Sequence, residues 1–534
     1  MTISKRFEGL LDRYFEGTLA ANPVWANYAG LREGEGKLGC NTLQALELEE
    51  RRRRRALTEL DAINPRELSC EQQLDRLALR AHVQRGCEDF ARRRYALDPS
   101  ALDLVLSVLL HELQRGDDEP DRAAGNLRSL LRAAPRFLDE SAALVDYPER
   151  VWRKIMEQTA AGAESLFAAV AAFLSKSRPQ TGDAMLIVSA KRAFKKYHDT
   201  VLGRPLAPEG AFAIGSSALQ RRVRDELGLD YTLGEIETLA LAEVARISAL
   251  LTKACAKFGH GQRPEQIIAQ ARASWNPGED LLAAYRTETR RVAEAFRAAR
   301  AVSFPVGDEL EVRPVPEFMR HLFPTAAYSS PGAFEKRQRG IFWVNDLSAS
   351  KSTKAGQLAE RQQHFGLSLT TAHEAYPGHH LQFVTANKHP RKWRRLFAHA
   401  TFYEGWTLWC EQMMVDLRVD RSPWLPVQQL HDALWRAHRI LVDLRLQCGR
   451  YSYEQAVRHM MRHLGFTRAR AQGDVNWYTS SPGVPMSYWL GRLENERLRR
   501  RLMEGRGWSL QRFNDWLLSF GTLPQGWLEK YGLD

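Results

Sequence analysis

Apolar residues recur at steps of three and four along most of the chain, the spacing that lines one face of an α-helix. In Val151 to Lys176 (VWRKIMEQTAAGAESLFAAVAAFLSK) and Leu233 to Phe258 (LGEIETLALAEVARISALLTKACAKF) the pattern is sustained, and Ala, Leu, Glu and Arg, all good helix formers, fill the other positions. Each predicts a long helix. Alternation with period two is rare. ELEVRPVP (Glu309 to Pro316) alternates and ends in prolines, while GIFWVN (Gly340 to Asn345) is a short apolar and aromatic run bounded by Gly and Asn. These two predict a small β-sheet just ahead of a histidine-rich stretch. Breaks rich in Pro and Gly fall at Ser177 to Asp183, Leu202 to Gly215 and Ser329 to Phe334. The second is the best boundary, separating an N-terminal helical region, 1–203, from a region 204–534 within one continuous structural unit. The expected fold is mainly α with a minor β element.

Composition narrows the class. The 534 residues, 44% hydrophobic and 26% charged, are enough for a large core in an ordinary globular protein. No run approaches the ~18 apolar residues of a membrane span. The opening MTISKRFEGLLDRYFEGTLAANP is amphipathic and charged, without a signal peptide's apolar segment. The six cysteines are scattered, with no C-x-x-C pair, which predicts free thiols in a reducing cytoplasm. The formal charge of +12 permits contact with nucleic acid or anionic membranes. Yet the densest basic run, in LELEERRRRRALTEL (Leu46 to Leu60), has Glu47, Glu49 and Glu50 four residues ahead of Arg51, Arg53 and Arg54, the favourable order for a solvated helix. No stacking aromatics interleave with the arginines, so neither nucleic acid nor membrane is an expected partner.

The chemistry gathers in TTAHEAYPGHHLQF (Thr370 to Phe383). Leu369, Ala372, His373 and Tyr376 fall on one helical face, with Glu374 beside His373. In a zinc helix of the H-E-x-x-H kind the second ligand follows four residues after the first; here that position is Pro377. His379 and His380 lie six and seven residues along. Pro377 clashes with the carbonyl of His373, so the helix must bend or bulge, and the distortion can return a later histidine to within reach of His373. A third ligand is available in ATFYEGWTLWCEQMMVDL, where Glu404 and Glu411 share a face of an apolar, aromatic helix. Two turns separate them, so Glu404 is the candidate ligand and Glu411 a group that supports the site or touches substrate. His364 and His389 stand outside the pattern and are expected at the surface.

HEAYPGHHLQ followed by EGWTLWCE resembles the bacterial family known as domain of unknown function 885, itself similar to the gluzincin metallopeptidases, whose third zinc ligand is a glutamate. RPLAPEGAFAIG, AAYSSPGAF, GIFWVN and PGVPMSYWLGRLE add to the likeness, which spans most of the chain. It implies a helical gluzincin-like fold with a small sheet beside the metal helix, and N-terminal helices walling a cleft. It also implies a zinc ion, or another divalent metal, on His373, His379 and Glu404, with His380 as the alternative ligand and Glu374 as general base. A downstream tyrosine, Tyr488 or else Tyr478, is implied as oxyanion donor. GIFWVN, including Phe342 and Val344, is implied as the strand that pairs with substrate. Arg439 and Asp443 match the family stretch in LWRAHRILVDLRLQCG, whereas Arg445 and Gln447 depart from it, with consequences expected for specificity or activity.

The reading that follows is a zinc hydrolase cleaving short peptides in the cytoplasm. Its alternatives are a zinc amidohydrolase for some other amide and a catalytically silent helical binding protein.

Overall fold

A computed structural model of the chain describes residues 2–533 apart from 260, 317, 318, 321, 322 and 324. The three- and four-residue periodicity becomes helix through most of them. The chain divides into two compact units, Met1–Phe212 with Pro316–Leu322, and Ala213–Val315 with Phe323–Asp534.

In the first unit, helices run from Ile3–Ala21 to Asp183–Leu202. Their starts are capped by side chains: Thr2 accepts from the Lys5 amide, and Ser69 and Gln72 form a reciprocal capping box. Leu102, Val105, Leu106 and Leu109, one stripe of Ala101–Arg115, meet Leu127 and Leu131 of the next helix and Phe167 and Val170 of Arg150–Lys176. Burying each such side chain contributes about 1.5–3 kcal/mol, which is what holds these helices together. The arginine run lies on Leu43–Asp61. There Glu50 holds Arg54 at 2.6 Å, while Glu59 holds Arg55 at 3.0 Å and Arg13 of the first helix at 2.7 Å.

The second unit carries the candidate chemistry. Leu233–Cys255, begun by a Thr232/Glu235 capping box, packs along Leu425–Gln447. The latter is buried on most of its surface, as an interior helix should be. Three strands form a mixed sheet, β1 (Asp308–Pro314), β2 (Ala326–Ser329) and β3 (Gln338–Val344), in the order β1-β3-β2. The periodicity predicts β1 and β3 but not β2, whose four residues are too few to show alternation.

The central position of β3 corrects one expectation. It pairs in parallel with β1 along its whole length and antiparallel with β2 from Ile341 to Val344. Phe342 and Val344 are fully buried, and both backbone edges there are occupied, so GIFWVN cannot pair with an extended substrate along that stretch.

Among the described residues no helix is long and apolar enough to cross a membrane. All six cysteines are free thiols.

Candidate metal centre

The bend expected at Pro377 is a complete break between two helices. Leu367–Glu374 stops at Glu374, a cis peptide joins Tyr376 to Pro377, and a new helix, His379–Asn387, begins at the second histidine. Gly378 is required by packing: a Cβ there would stand 1.9 Å from the His373 carbonyl oxygen. The chain thus folds back onto the end of the first helix, and six residues of sequence shrink to ring centroids 5.0 Å apart for His373 and His379. Trp406, two residues after Glu404, donates from its indole to the Pro377 carbonyl at 2.8 Å, tying the broken segment to the helix Ala400–Asp416.

That helix presents Glu404 to both histidines. Glu404 Oε2 lies 3.5 Å from His373 Nε2 and 3.6 Å from His379 Nε2, and the three potential ligand atoms all fall within 4.8 Å of one another. The three residues are buried, and Glu404 Oε2 accepts no hydrogen bond. Atoms about 2.1 Å from a tetrahedral ion stand about 3.4 Å apart, so two imidazole nitrogens and a carboxylate oxygen at these separations fit a divalent cation. A buried carboxylate oxygen that makes no hydrogen bond and lies between two imidazole nitrogens is in place to accept a cation.

His380 is excluded from this group by its partners. Its Nδ1 is 3.0 Å from the Tyr328 hydroxyl and its Nε2 is 3.2 Å from Asp308 Oδ2, which also takes the Tyr376 hydroxyl. Both ring nitrogens are therefore engaged with β1 and β2. The Tyr328 ring in turn stacks over His379, with centroids 6.3 Å apart. Asp308 lies in no motif, and Tyr328 lies in AAYSSPGAF without being marked there as a site residue.

Glu411, two turns beyond Glu404, approaches the opposite face of the first histidine: its Oε1 is 2.8 Å from His373 Nδ1 and 3.2 Å from Arg436 Nη2. This contact fixes the ring and directs Nε2 towards Glu404. Burial disfavours a charged His373, but the carboxylates Glu404 and Glu411 outweigh it and push its pKa up to about 10. Burial instead brings His379 down to about 4. Glu374, at the end of its helix and partly reached by solvent, is pushed up to about 7, chiefly by desolvation.

Tyr488 lies against Glu404 because two helices touch backbone to backbone. A Cβ on Gly405 would meet Gly491 carbon at 2.5 Å, and one on Gly491 would meet the Thr401 carbonyl oxygen at 2.0 Å. Glycine at both positions lets Ala400–Asp416 and Val484–Arg499 cross in contact, with Glu404 next to Gly405 and Tyr488 three residues before Gly491. Burial, and then the neighbouring Glu404 charge, raise the Tyr488 phenol well above its usual pKa, keeping it a proton donor.

The remaining predicted residues sit further out. Asp443 Oδ2 accepts from the backbone amides of Gly483 at 3.0 Å and Met486 at 3.3 Å, capping the start of the Tyr488 helix. Burial raises its pKa to about 8. Tyr478 is buried, with its hydroxyl on Asp474 at 3.1 Å. Arg439 is buried among aromatic rings, 4.5 Å from the Tyr488 ring centroid. Arg445 binds Glu237 and the Tyr451 hydroxyl, and Gln447 binds the Tyr478 carbonyl, so the two departures from the family stretch hold helices together. His364 and His389 are 5% and 7% exposed, against the expectation that they lie at the surface. His364 is buried because it joins the Tyr285 hydroxyl to the Asn345 carbonyl. His389 is buried with its Nδ1 accepting from the Arg391 amide.

A family model described as "Bacterial protein of unknown function (DUF885)" matches residues 23–531. No curated protein matches the chain. Two solved structures are similar to it. One, described as "a putative lipoprotein of unknown function" from Shewanella oneidensis, is 19% identical with a TM-score of 0.77, over 99% of this chain and 100% of that one. The other, "the putative lipoprotein from Colwellia psychrerythraea", is 18% identical with a TM-score of 0.72, over 99% of this chain and 98% of that one.

Proposed function

We propose that this chain, which belongs to the DUF885 family over nearly its whole length, is a metal-dependent hydrolase of amide bonds, most simply a gluzincin-like peptidase for short peptides. The observation that carries the reading is the buried, unsatisfied Glu404 Oε2, at 3.5 and 3.6 Å from two imidazole nitrogens. His373, His379 and Glu404 are the ligands. With two nitrogen donors and one oxygen, zinc suits the set, and once bound it would polarise a carbonyl and lower the pKa of water towards ~7.

The protein's own groups do the rest. Glu374 stands next to a ligand without belonging to the ligand group, and its pKa of about 7 suits a base working near neutrality. It takes the proton from the attacking water and returns it to the nitrogen of the leaving amine. Tyr488 remains protonated and donates to the oxygen of the scissile carbonyl as negative charge develops there, a contribution of about 3 kcal/mol for donors of this kind. Glu411 orients His373.

The free thiols support a reducing compartment such as the cytoplasm, whereas the description of both similar structures as putative lipoproteins points to the cell envelope. Fractionation of native cells distinguishes the two.

Digestion of a peptide library by zinc-supplemented protein, read by mass spectrometry, tests the function. Cleavage of short peptides that stops on chelation is the expected result. Absence of any cleavage by protein carrying one equivalent of zinc defeats the peptidase reading.

A further inference from the structure

Arg439 is a buried cation without a direct ion pair; Asp474 and Glu404 act on its charge only from beyond contact. It projects from Leu425–Gln447 at 6% exposure, and among the described residues no carboxylate lies within ion-pair distance of it. Its guanidinium is held between rings, 4.1 Å from the Trp435 centroid on one helix and 4.5 Å from the Tyr488 centroid on another, with Trp477 at 5.3 Å. Stacking fixes the plane of the guanidinium but takes up none of its N–H donors. Nε and Nη1 are buried and donate to nothing. The neighbouring Arg436 is different, since Glu411 and Asp432 both face its guanidinium.

A buried charge left unpaired costs several kcal/mol, so a folded chain retains one where a ligand completes it. The completing group must be an anion small enough to enter beside aromatic faces and able to accept from a planar fork, which describes a carboxylate. Solvent reaches the place: Tyr488, Trp477 and Trp435 are all partly exposed although the helices that bear them are largely buried.

The neighbour that Arg439 shares with the metal ligands then sets what the carboxylate belongs to. A single phenol, Tyr488, separates Arg439 from Glu404, with its ring against the guanidinium and its charge interaction with the carboxylate. One residue of extended chain spans about 3.5 Å. A carboxylate on Arg439 therefore brings an amide one or two residues upstream past the Tyr488 ring towards Glu404.

We propose that Arg439 is the anchor for a substrate carboxylate, and that the substrates are peptides or N-acylated amino acids ending in a free carboxylate one or two residues beyond the cleaved bond. The inference rests on the hydrolase reading and deepens it to cleavage at the carboxyl end. Water adds across the amide: the acyl carbon gains the hydroxyl, the C–N bond breaks, and the released amine gains the hydrogen and keeps the anchored carboxylate.

Calorimetric titration of the full chain with benzoylglycylphenylalanine, as the free acid and as its C-terminal amide, tests this. Chelated protein gives binding without turnover, and zinc content is measured on the same preparation after resupply. The free acid is expected to bind at least about tenfold more tightly than the amide, with Arg439→Met bringing the two within about twofold and Arg439→Lys falling between. Equal binding of acid and amide by the native chain overturns the anchor, as does failure of the acid to bind at all, or an acid preference that survives in Arg439→Met. If Arg439→Met does not fold, the acid-to-amide comparison on the native chain decides alone. The two readings fail separately. Normal zinc uptake without acid preference removes the anchor and leaves the hydrolase, whereas acid preference without zinc uptake does the reverse.

Discussion

The second unit contains two clusters of histidine, one buried and one that runs from the interior out to an exposed His463, and they are built for opposite ends. In one, His373 and His379 face Glu404 with their Nε2 atoms, and a second carboxylate, Glu411, holds His373 from behind. In the other, His438, His459 and His463 face one another: His438 Nδ1 is 2.9 Å from His459 Nε2, and the ring centroids of His438 and His463 are 5.2 Å apart. The groups around this second cluster are the Tyr451 hydroxyl, 3.3 Å from His459 Nδ1, and the cations Arg445 and Arg462. No carboxylate joins it among the described residues. Histidines alone satisfy each other's hydrogen bonds and stay neutral; adding a buried carboxylate with one oxygen free of hydrogen bonds turns a similar set of rings into a place for a cation.

Metal content separates the two clusters most sharply. His373→Ala or Glu404→Ala is expected to reduce bound zinc from about one equivalent to less than about a tenth, while His459→Ala leaves it unchanged. Zinc lost from the His459 variant, or kept by the other two, would erase the distinction. Next in size is Glu374→Gln, which should retain the metal and lower turnover by about 10²- to 10⁴-fold, measured on whichever peptide the library digest identifies. Unchanged turnover removes Glu374 from the chemistry. Glu411→Gln probes the carboxylate that the second cluster lacks, and competition with a chelator should show metal affinity about 10- to 100-fold weaker.

The smallest effect belongs to the neutral cluster. Burial, with the surrounding positive groups, lowers His438 to about 3 and His459 to about 4, and lowers His463 as well. A depressed pKa in the fold means that the unfolded chain takes up protons first. Stability is thus fully present above about pH 6.5 and is lost as pH falls towards 4, with each of the two buried histidines, His438 and His459, contributing a slope of at most about 1.4 kcal/mol per pH unit. Denaturant midpoints measured across that window should fall less steeply in His459→Gln than in the native chain. An identical slope would mean that His459 is not held neutral in the fold.

The candidate site was legible in outline because its motifs are local. His373, Glu374 and the Pro377–Gly378 break lie within six residues, and Glu404 begins its own apolar helix motif. What required the fold was long-range. The spacing leaves both His379 and His380 open and only the resemblance favours His379; in the fold they are told apart by Asp308 and Tyr328, more than 50 residues upstream, which occupy both nitrogens of His380. Four-residue β2 left no periodic trace, yet it takes one edge of β3 and so closes the strand expected to receive substrate. The burial of His364 likewise depends on Tyr285, 79 residues away. Arg439 could be matched to a motif, but its lack of a direct ion pair appears only once Trp435, Trp477 and Tyr488 surround it.

Where Gly405 meets Gly491, the interval between Glu404 and Tyr488 is set by peptide units in contact, without side chains in between. Side-chain packing adjusts when a core drifts by a methyl group here or a rotamer there, and most intervals in a protein breathe with it. Two abutting backbones have no such slack. The crossing works as a gauge block, carrying a fixed width through changes in the surrounding core, so that the acid group of one helix and the phenol of the other keep their separation while the rest of the unit is free to vary.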